Sequence, residues 1–384
     1  MKIRKYYLQK ATGLSLVAML ALSLGCKKSF LDTSSGVTSA ANFWKTSSDA
    51  TSAVSAMYAD LYSYNEIAFP SLAVESMGSD DVTKGSVPTD ASFMNEYIQF
   101  TVTAGEGQLE GFWQGVYGNI NFANQILANV PGITMDASLQ ARYLAEAKFM
   151  RAYDYFRLVR AFGSVPLRLT PPTSASQYNL AQSTATVVYA QIEKDLTDAA
   201  SVLPATYDAT DIGHVTKGAA LALHAKVSLY QKHWADVISY TNQVTALGYQ
   251  LYPNYDMIFR TTNKNNSESI FEIQCDLIPN NPGASNSQYS QVQYPRVSIA
   301  PTGANGWGFN DPSPSLIKEF EANDPRLSGT VISAGETTPE GDVIPSSAPD
   351  PYYNRKSYVA AALYNSAFNV GCQEDKIALR YADV

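Results

Sequence analysis

Residues 145–167 read AEAKFMRAYDYFRLVRAFGSVPL, and this stretch constrains the fold more than any other. Ala145, Phe149, Ala152, Phe156 and Val159 recur at spacings of four, three, four and three, which puts them on one stripe of an α-helix. Small and large side chains alternate along the stripe, so a neighbouring helix can approach closely at one level and receive a ring at the next. Lys148, Arg151, Asp154, Arg157 and Arg160 fall mostly off the stripe. Gly163 is placed to end the helix as its C′ residue, and Pro166 prevents it from resuming. The stretch reads as a buried structural helix: it shapes the protein without being its active part.

Other segments carry the same period. A helix is expected from Asp49 to about Tyr62, capped by Ser47 or Ser48. Another is expected from Gly107 to Val130, with an apolar stripe of Phe112, Val116, Ile120, Ala123 and Leu127, stopped by Pro131. The long helix then begins near Ser138, and a further one runs from Thr184 to Leu203 before Pro204. Helices over Lys217–Gln231 and His233–Ala246 are joined by almost nothing. Short connections favour antiparallel helix pairs, and Ala222, Ala225 and Trp234-Ala235 give this pair a degenerate tetratricopeptide look. Between the first two helices, residues 65–105 are broken by Pro70, Gly78, Gly85, Pro88 and Gly105 and read as loop, with Asp80 and Asp81 exposed in it.

Past Gly248 helical periodicity fades. Ser269–Gln274 reads as a strand, Pro314–Phe320 as a short helix, and residues 276–312 as a long loop region with five prolines. A loop of that length is usually functional or disordered. It carries Tyr289, Tyr294, Arg296, Asn305, Trp307 and Phe309. Flat aromatic faces suit the C–H faces of sugars, and Asn, Asp and Arg fork onto hydroxyls. The opposing reading is that these rings pin the loop to the helical body.

Composition narrows the function classes. Charged residues make up only 16% while 25 residues are Tyr, a polar and Tyr-rich globular composition, not a disordered one. Residues 1–25 have the form of a signal peptide: Lys2, Arg4, Lys5 and Lys10, then an apolar run from Ala11 to Leu24 that is short for a membrane span of roughly 20 residues. They hold no acid, so the chain beyond them is more acidic than the whole-chain net charge of −8, and nucleic acid is excluded as a partner for want of a basic footprint. Cys26 directly follows Gly25, the arrangement of a lipobox whose Cys is acylated, although Ser23 and Leu24 depart from the usual residues; ordinary signal cleavage is the alternative. Cys26, Cys275 and Cys372 form no disulfide framework or metal spacing, and whether Cys275 and Cys372 meet stays open. The three histidines show no zinc-protease pattern, so neither a metal nor a cofactor is expected.

The long helix also resembles the hallmark of the SusD/RagB family, AEA-x-F-x-RA-x-x-YF followed by an aromatic-Gly-x-x-Pro-Leu turn. The matching residues are Ala145-Glu146-Ala147, Phe149, Arg151-Ala152, Tyr155-Phe156, Phe162-Gly163 and Pro166-Leu167. Trp113, Tyr117, Ile120, Ala123-Asn124 and Ile126-Leu127 in the preceding helix are similar to the family, as are the G-x-x-T-x-x-AA opening at Gly213, Thr216 and Ala219-Ala220, the Lys27–Asp32 start and Asp324-Pro325-Arg326. The resemblance implies a mainly α, tetratricopeptide-like superhelix of helical pairs over residues 26–248. An irregular, loop-rich part with short strands follows over 249–384. It implies a lipoprotein anchored through Cys26 at the outer membrane and facing the cell surface, which captures an oligosaccharide for a SusC-like TonB-dependent transporter. Transferred by region, it nominates Trp307, Tyr289, Tyr294, Asn305 and Arg296 as ligand contacts, with Asp80 and Asp81 opposite. It further implies that Arg380-Tyr381-Ala382-Asp383-Val384 opens a helix with more chain beyond, so that this sequence is a truncated form.

Two alternatives stay open. The same architecture can capture peptides or another nutrient. An enzyme needs a nucleophile with its base, or two carboxylates at a defined separation, and no G-x-S-x-G, H-E-x-x-H or phosphate loop is present. A secreted glycoside hydrolase is therefore the more distant alternative, and no catalytic residue is nominated. A pure interaction scaffold would have no need to expose the aromatic loop.

Overall fold

The computed structural model describes residues 43–275, 288–364 and 373–384. The chain divides into two units, Met1–Lys45 and Thr46–Val384. Only residues 43–45 of the first are described, so everything below concerns the second. The leader, Cys26 and Cys372 lie outside the described residues, as does the 276–287 part of the long loop.

Six helices carry the first half: α1 (Ser47–Asp60), α5 (Gly107–Asn129), α6 (Ala137–Phe162), α7 (Ala185–Val202), α8 (Lys217–Tyr230) and α9 (Trp234–Thr245), with short α2 (Tyr64–Ile67), α3 (Phe69–Glu75) and α4 (Met94–Ile98) between the first two. The cap of α1 is Thr46, earlier than expected, because Asp49 can then return the bond: Asp49 N donates to Thr46 Oγ1 at 3.2 Å and Thr46 N to Asp49 Oδ2 at 2.7 Å. Gly163 ends α6 at φ 70, as its position implied. Helices pack on their sequence neighbours, α5 on α6, α6 on α7, α7 on α8 and α8 on α9, so the mainly helical, paired-helix architecture is found.

Two local expectations fail. Residues 65–105 are not all loop, because Pro70 sits in the first turn of α3, where proline starts a helix instead of breaking it. The charged residues of α6 do not all leave the core. All five stripe residues are buried, but so are Arg151, Asp154 and Arg157. The helix is buried nearly all round, and its two buried arginines are answered inside. Arg151 forks onto Asp195 at 2.8 and 2.9 Å and donates to Asn124 Oδ1 at 2.9 Å. Arg157, 2% exposed, bonds Glu66 and reaches Glu75 at 3.0 and 3.1 Å.

Among the described residues the strands come as four antiparallel pairs: β1 (Val82–Gly85) with β5 (Phe309–Pro312), β2 (Val165–Pro166) with β3 (Gln182–Ser183), β4 (Ser269–Ile273) with β8 (Lys376–Arg380), and β6 (Val331–Ser333) with β7 (Tyr352–Asn354). Short helices α10 (Tyr289–Gln293), α11 (Pro314–Glu319) and α12 (Arg326–Thr330) interrupt them. Residues 380–384 pass from strand β8 into a single helical turn. Leu379 pairs with Phe271 in the β4–β8 ladder, and Tyr381–Asp383 make one 3-10 turn, with Tyr381 N donating to Glu268 O at 2.8 Å. Among the described residues no helix is long and apolar enough to cross a membrane.

Candidate functional site

The β1–β5 ladder decides where the nominated residues go. Its register, Val82 against Pro312, Thr83 against Asp311 and Gly85 against Phe309, joins the loops before α5 to the far end of the aromatic loop. These segments lie more than 200 positions apart, and no sequence period announces their pairing.

At the Phe309 end, residues 294–308 form a loop tied to α10 and to itself. Trp307 N donates to Gln291 O at 3.0 Å, Gly308 N to Tyr294 O at 2.9 Å and Ile299 N to Ala304 O at 2.9 Å. Asn305 is exposed on this loop, and its carbonyl accepts from Tyr364 Oη at 3.3 Å. Trp307 is half-buried, its ring 5.4 Å from that of Phe69 in α3. Arg296 reaches across to Asp90, Nη1 to Oδ2 at 2.6 Å. That pair is partly solvated, so it orients the guanidinium more than it stabilises the fold. Tyr289 sits at the start of α10, its ring centroid 5.8 Å from the Lys376 Nζ.

Tyr294 corrects an expectation. It is 0% exposed, its ring stacked 4.9 Å from Tyr358 and 3.9 Å from Tyr364 within an apolar cluster with Ile332, Ile344 and Tyr353. With both faces occupied it has no face to offer a sugar. It is the ring that pins the loop, and Trp307 beside the other cluster, around Phe69 and Phe309, is the one with surface to spare.

Asp80 and Asp81 lie at the opposite, Pro312 end of the ladder, separated from the Trp307 end by about 10 Å of strand at ~3.4 Å per residue. Their side chains are exposed, while the Asp81 carbonyl accepts from Ser313 N at 2.8 Å. Asp81 lines a cleft of about 630 Å3 that also holds Tyr255, Asn310, Arg326 and Lys356. The structure therefore brings Arg296, Asn305 and Trp307 to one end of the ladder with Asp90, and puts Asp80 and Asp81 at the other.

Sequence reasoning missed the middle. Lys84 donates from Nζ to the carbonyls of Gly85 at 2.9 Å, Val87 at 3.0 Å and Asp90 at 2.9 Å, which uses all three ammonium protons and shapes the 86–90 turn. Gly85 has φ 70, and a Cβ there would stand 2.3 Å from the Gly308 carbonyl and 2.6 Å from Asp311 Oδ2, so only glycine fits. Beside this turn a cavity of about 510 Å3 is lined by Lys84, Ser86, Asn95, Asp311, Asp350 and Tyr352, among others. Burial pushes the Asp311 carboxyl well up, the Asp350 charge adds to that, and Lys84 opposes it. Asp350 is likewise raised by burial. The one signal available in the sequence was Asp311 two residues beyond Phe309, which a strand period would have put on the same face. Among the described residues no group of three or more His, Cys, Asp or Glu is arranged to hold a metal ion.

Comparison with known proteins fits this architecture. SusD-like protein P2 of Formosa agariphila is 24% identical over 342 residues, 88% of this chain and 67% of the relative. A SusD-like protein of Bacteroides ovatus is 28% identical over 194 residues, 47% of this chain and 35% of the relative, so this chain spans about a third of the length of that protein. Among solved structures, a laminarin binding SusD-like protein superposes with a TM-score of 0.78 at 27% identity, covering 88% of this chain and 78% of that one. A SusD-like protein from Bacteroides fragilis gives 0.74 at 25%, covering 89% and 74%. None of these descriptions names a reaction. The family described as SusD-like, "Starch-binding associating with outer membrane", matches residues 29–229, a span that contains α5, the hallmark helix α6 and the α7–α8 pair, and on that match over more than half its length the chain belongs to the SusD-like family.

Proposed function

We propose that this protein is a cell-surface glycan-binding lipoprotein that captures an oligosaccharide and hands it to a SusC-like TonB-dependent transporter in the outer membrane. In this reading residues 1–25 are the leader, Cys26 carries the lipid, 26–248 form the helical body and 249–384 supply most of the ligand contacts. Acyl chains on one Cys suffice to hold a protein at a bilayer when more than one is attached. Trp307 offers the stacking face, Arg296 and Asn305 the polar contacts beside it, and Tyr289 flanks them. Asp80 and Asp81 serve a longer ligand that extends past the ladder.

The observation that carries the reading is the β1–β5 pairing, at whose Phe309 end a half-buried Trp, an Arg held by Asp90 and an exposed Asn share one loop held by backbone hydrogen bonds. Rigid aromatic and fork-shaped donors on a braced loop are what sugar recognition requires. The laminarin named for the solved relative makes a β-1,3-glucan the first ligand to try. The test is a glycan-array screen of the purified mature protein, with a peptide library as the parallel arm. Retention on one glycan class is expected. Retention on peptides with no glycan bound would overturn the reading in favour of another nutrient.

A further inference from the structure

We propose that the 510 Å3 cavity beside the β1–β5 ladder is a subsite for the hydroxyl groups of an uncharged sugar, and that Asp311 is the residue that selects them. The inference rests on the glycan-binding reading above and narrows it to neutral glycans.

Asp311 is 2% exposed and lines the cavity, yet neither of its carboxyl oxygens has a hydrogen-bond partner among the described residues. Buried polar groups are rarely left so, because the desolvation is not recovered. Lys84 is near but does not answer it, since its three N–H groups are spent on backbone carbonyls. Asp350, whose Oδ2 is also buried without a partner, lines the same space. Asp311 and Asp350, each with a buried carboxyl oxygen lacking a partner among the described residues, thus line one cavity whose size suits a small ligand, within the roughly 300–1,000 Å3 of such sites. Vicinal sugar hydroxyls, each giving one O–H, are donors that suit acceptors of this kind. A uronate or sulfate ester would bring its charge into a site where burial already disfavours charge on Asp311 and Asp350 and where Lys84, its N–H groups spent, has no hydrogen bond to give it. A bound divalent cation suits the site less well, because hard cations gather about six or more oxygens and only two carboxylates are offered.

The experiment is titration calorimetry on the mature protein with laminarihexaose and maltohexaose as neutral probes and hexagalacturonate as the anionic one, each with and without calcium. The wild type should bind one neutral probe at least tenfold more tightly than the anionic one, and calcium should change neither. Asp311→Asn keeps the shape but replaces one acceptor oxygen with an amide NH2 group. It should weaken the neutral probe about tenfold while its melting temperature stays level or rises, a combination that a merely structural role would not give. Asp350→Asn, at the half-buried rim where folding is less at risk, should weaken it less. Equal affinity for the anionic hexamer, or unchanged affinity in both variants, overturns the inference while leaving glycan binding intact. Calcium that raises the melting temperature of the sugar-free wild type but not of Asp311→Asn assigns the carboxyls to a cation and also overturns it. No heat with any sugar defeats the glycan reading and this inference together.

Discussion

The two halves of the molecule solve the same problem by opposite means. In the helical half, α6 runs unbroken through the core, and Arg151 and Arg157 reach sideways to carboxylates on α7, α2 and α3. In the loop-rich half, arginines stand in for the missing secondary structure. Arg355, 1% exposed, is gripped by Asp256 at 2.9 and 3.1 Å and by Glu340 twice at 2.8 Å. Arg260 donates to the carbonyls of Asp256 at 3.0 Å, Tyr358 at 3.1 Å and Arg355 at 2.7 Å, tying two segments, 256–260 and 355–358, that no ladder joins. In the first half backbone hydrogen bonds fix the chain and side chains choose its neighbours. In the second, side chains also do the backbone's share. A loop region braced this way holds a binding surface in place, and the surface can vary without disturbing the helices.

Breaking the comparison at its strongest point means removing Arg157. Arg157→Ala leaves Glu66 and Asp154 buried without their cation and Glu75 with only the more distant Arg160 and Lys376, and removing one partner of such a network costs on the order of 3–5 kcal/mol. Urea unfolding should show the loss as a fall in midpoint for the whole protein, because the helices share this core. A shift below about 1 kcal/mol would mean the network is not holding them. Arg355→Ala should cost somewhat less, about 3 kcal/mol, and act locally. Hydrogen exchange should rise in 256–260 and 340–358 while α5 and α6 stay protected. Equal loss of protection in the helices would erase the distinction between the halves.

A pH series sharpens it further, with a smaller effect. Burial pushes the Glu272 carboxyl up to about 7, with Asp375 adding to the rise against the hydrogen bonds from Ser269 and Asn265. The folded protein then holds that proton more tightly than the unfolded chain, so the contribution is fully present below about 4.5 and is lost as pH climbs to about 7. Glu75 has the opposite sign. Burial raises it, but Arg157 and Lys376 outweigh burial and hold it at about 2, so its contribution is present above about 4.5 and is lost as pH falls towards 2. Melting curves of Glu272→Gln should be flatter than wild type between pH 4.5 and 7, and those of Glu75→Gln flatter below 4.5. Parallel curves for wild type and Glu272→Gln across that upper window would show that Glu272 keeps its ordinary acidity.

The same contrast explains what could be read from the amino acids. The six long helices were legible within a residue or two of their ends because burial repeats every three to four positions, as at Phe112, Val116 and Ile120. The ion pairs inside α6 were not, since a period records where Arg157 lies but not which carboxylate meets it. Trp307, Arg296 and Asn305 were nominated from residue type, and they lie at one end of a ladder. Tyr294 was indistinguishable from them in sequence and turned out to be core, because stacking partners at Tyr358 and Tyr364 lie more than 60 positions away. Asp311 escaped notice for the same reason: a single acid after a Phe becomes unusual only when the fold buries it without a partner.

The central claim, that a sugar stacks on Trp307 over a frame that does not depend on it, is tested most directly by calorimetric titration of wild type and Trp307→Ala with laminarihexaose, alongside their melting temperatures. The account predicts measurable binding by the wild type and a loss of roughly 1–3 kcal/mol of affinity in the variant, the scale of a ring-stacking contact, with a melting temperature within a few degrees of wild type. Equal affinity in the two proteins, or a melting temperature that collapses together with binding, would contradict it and make Trp307 a plug between α3 and its loop.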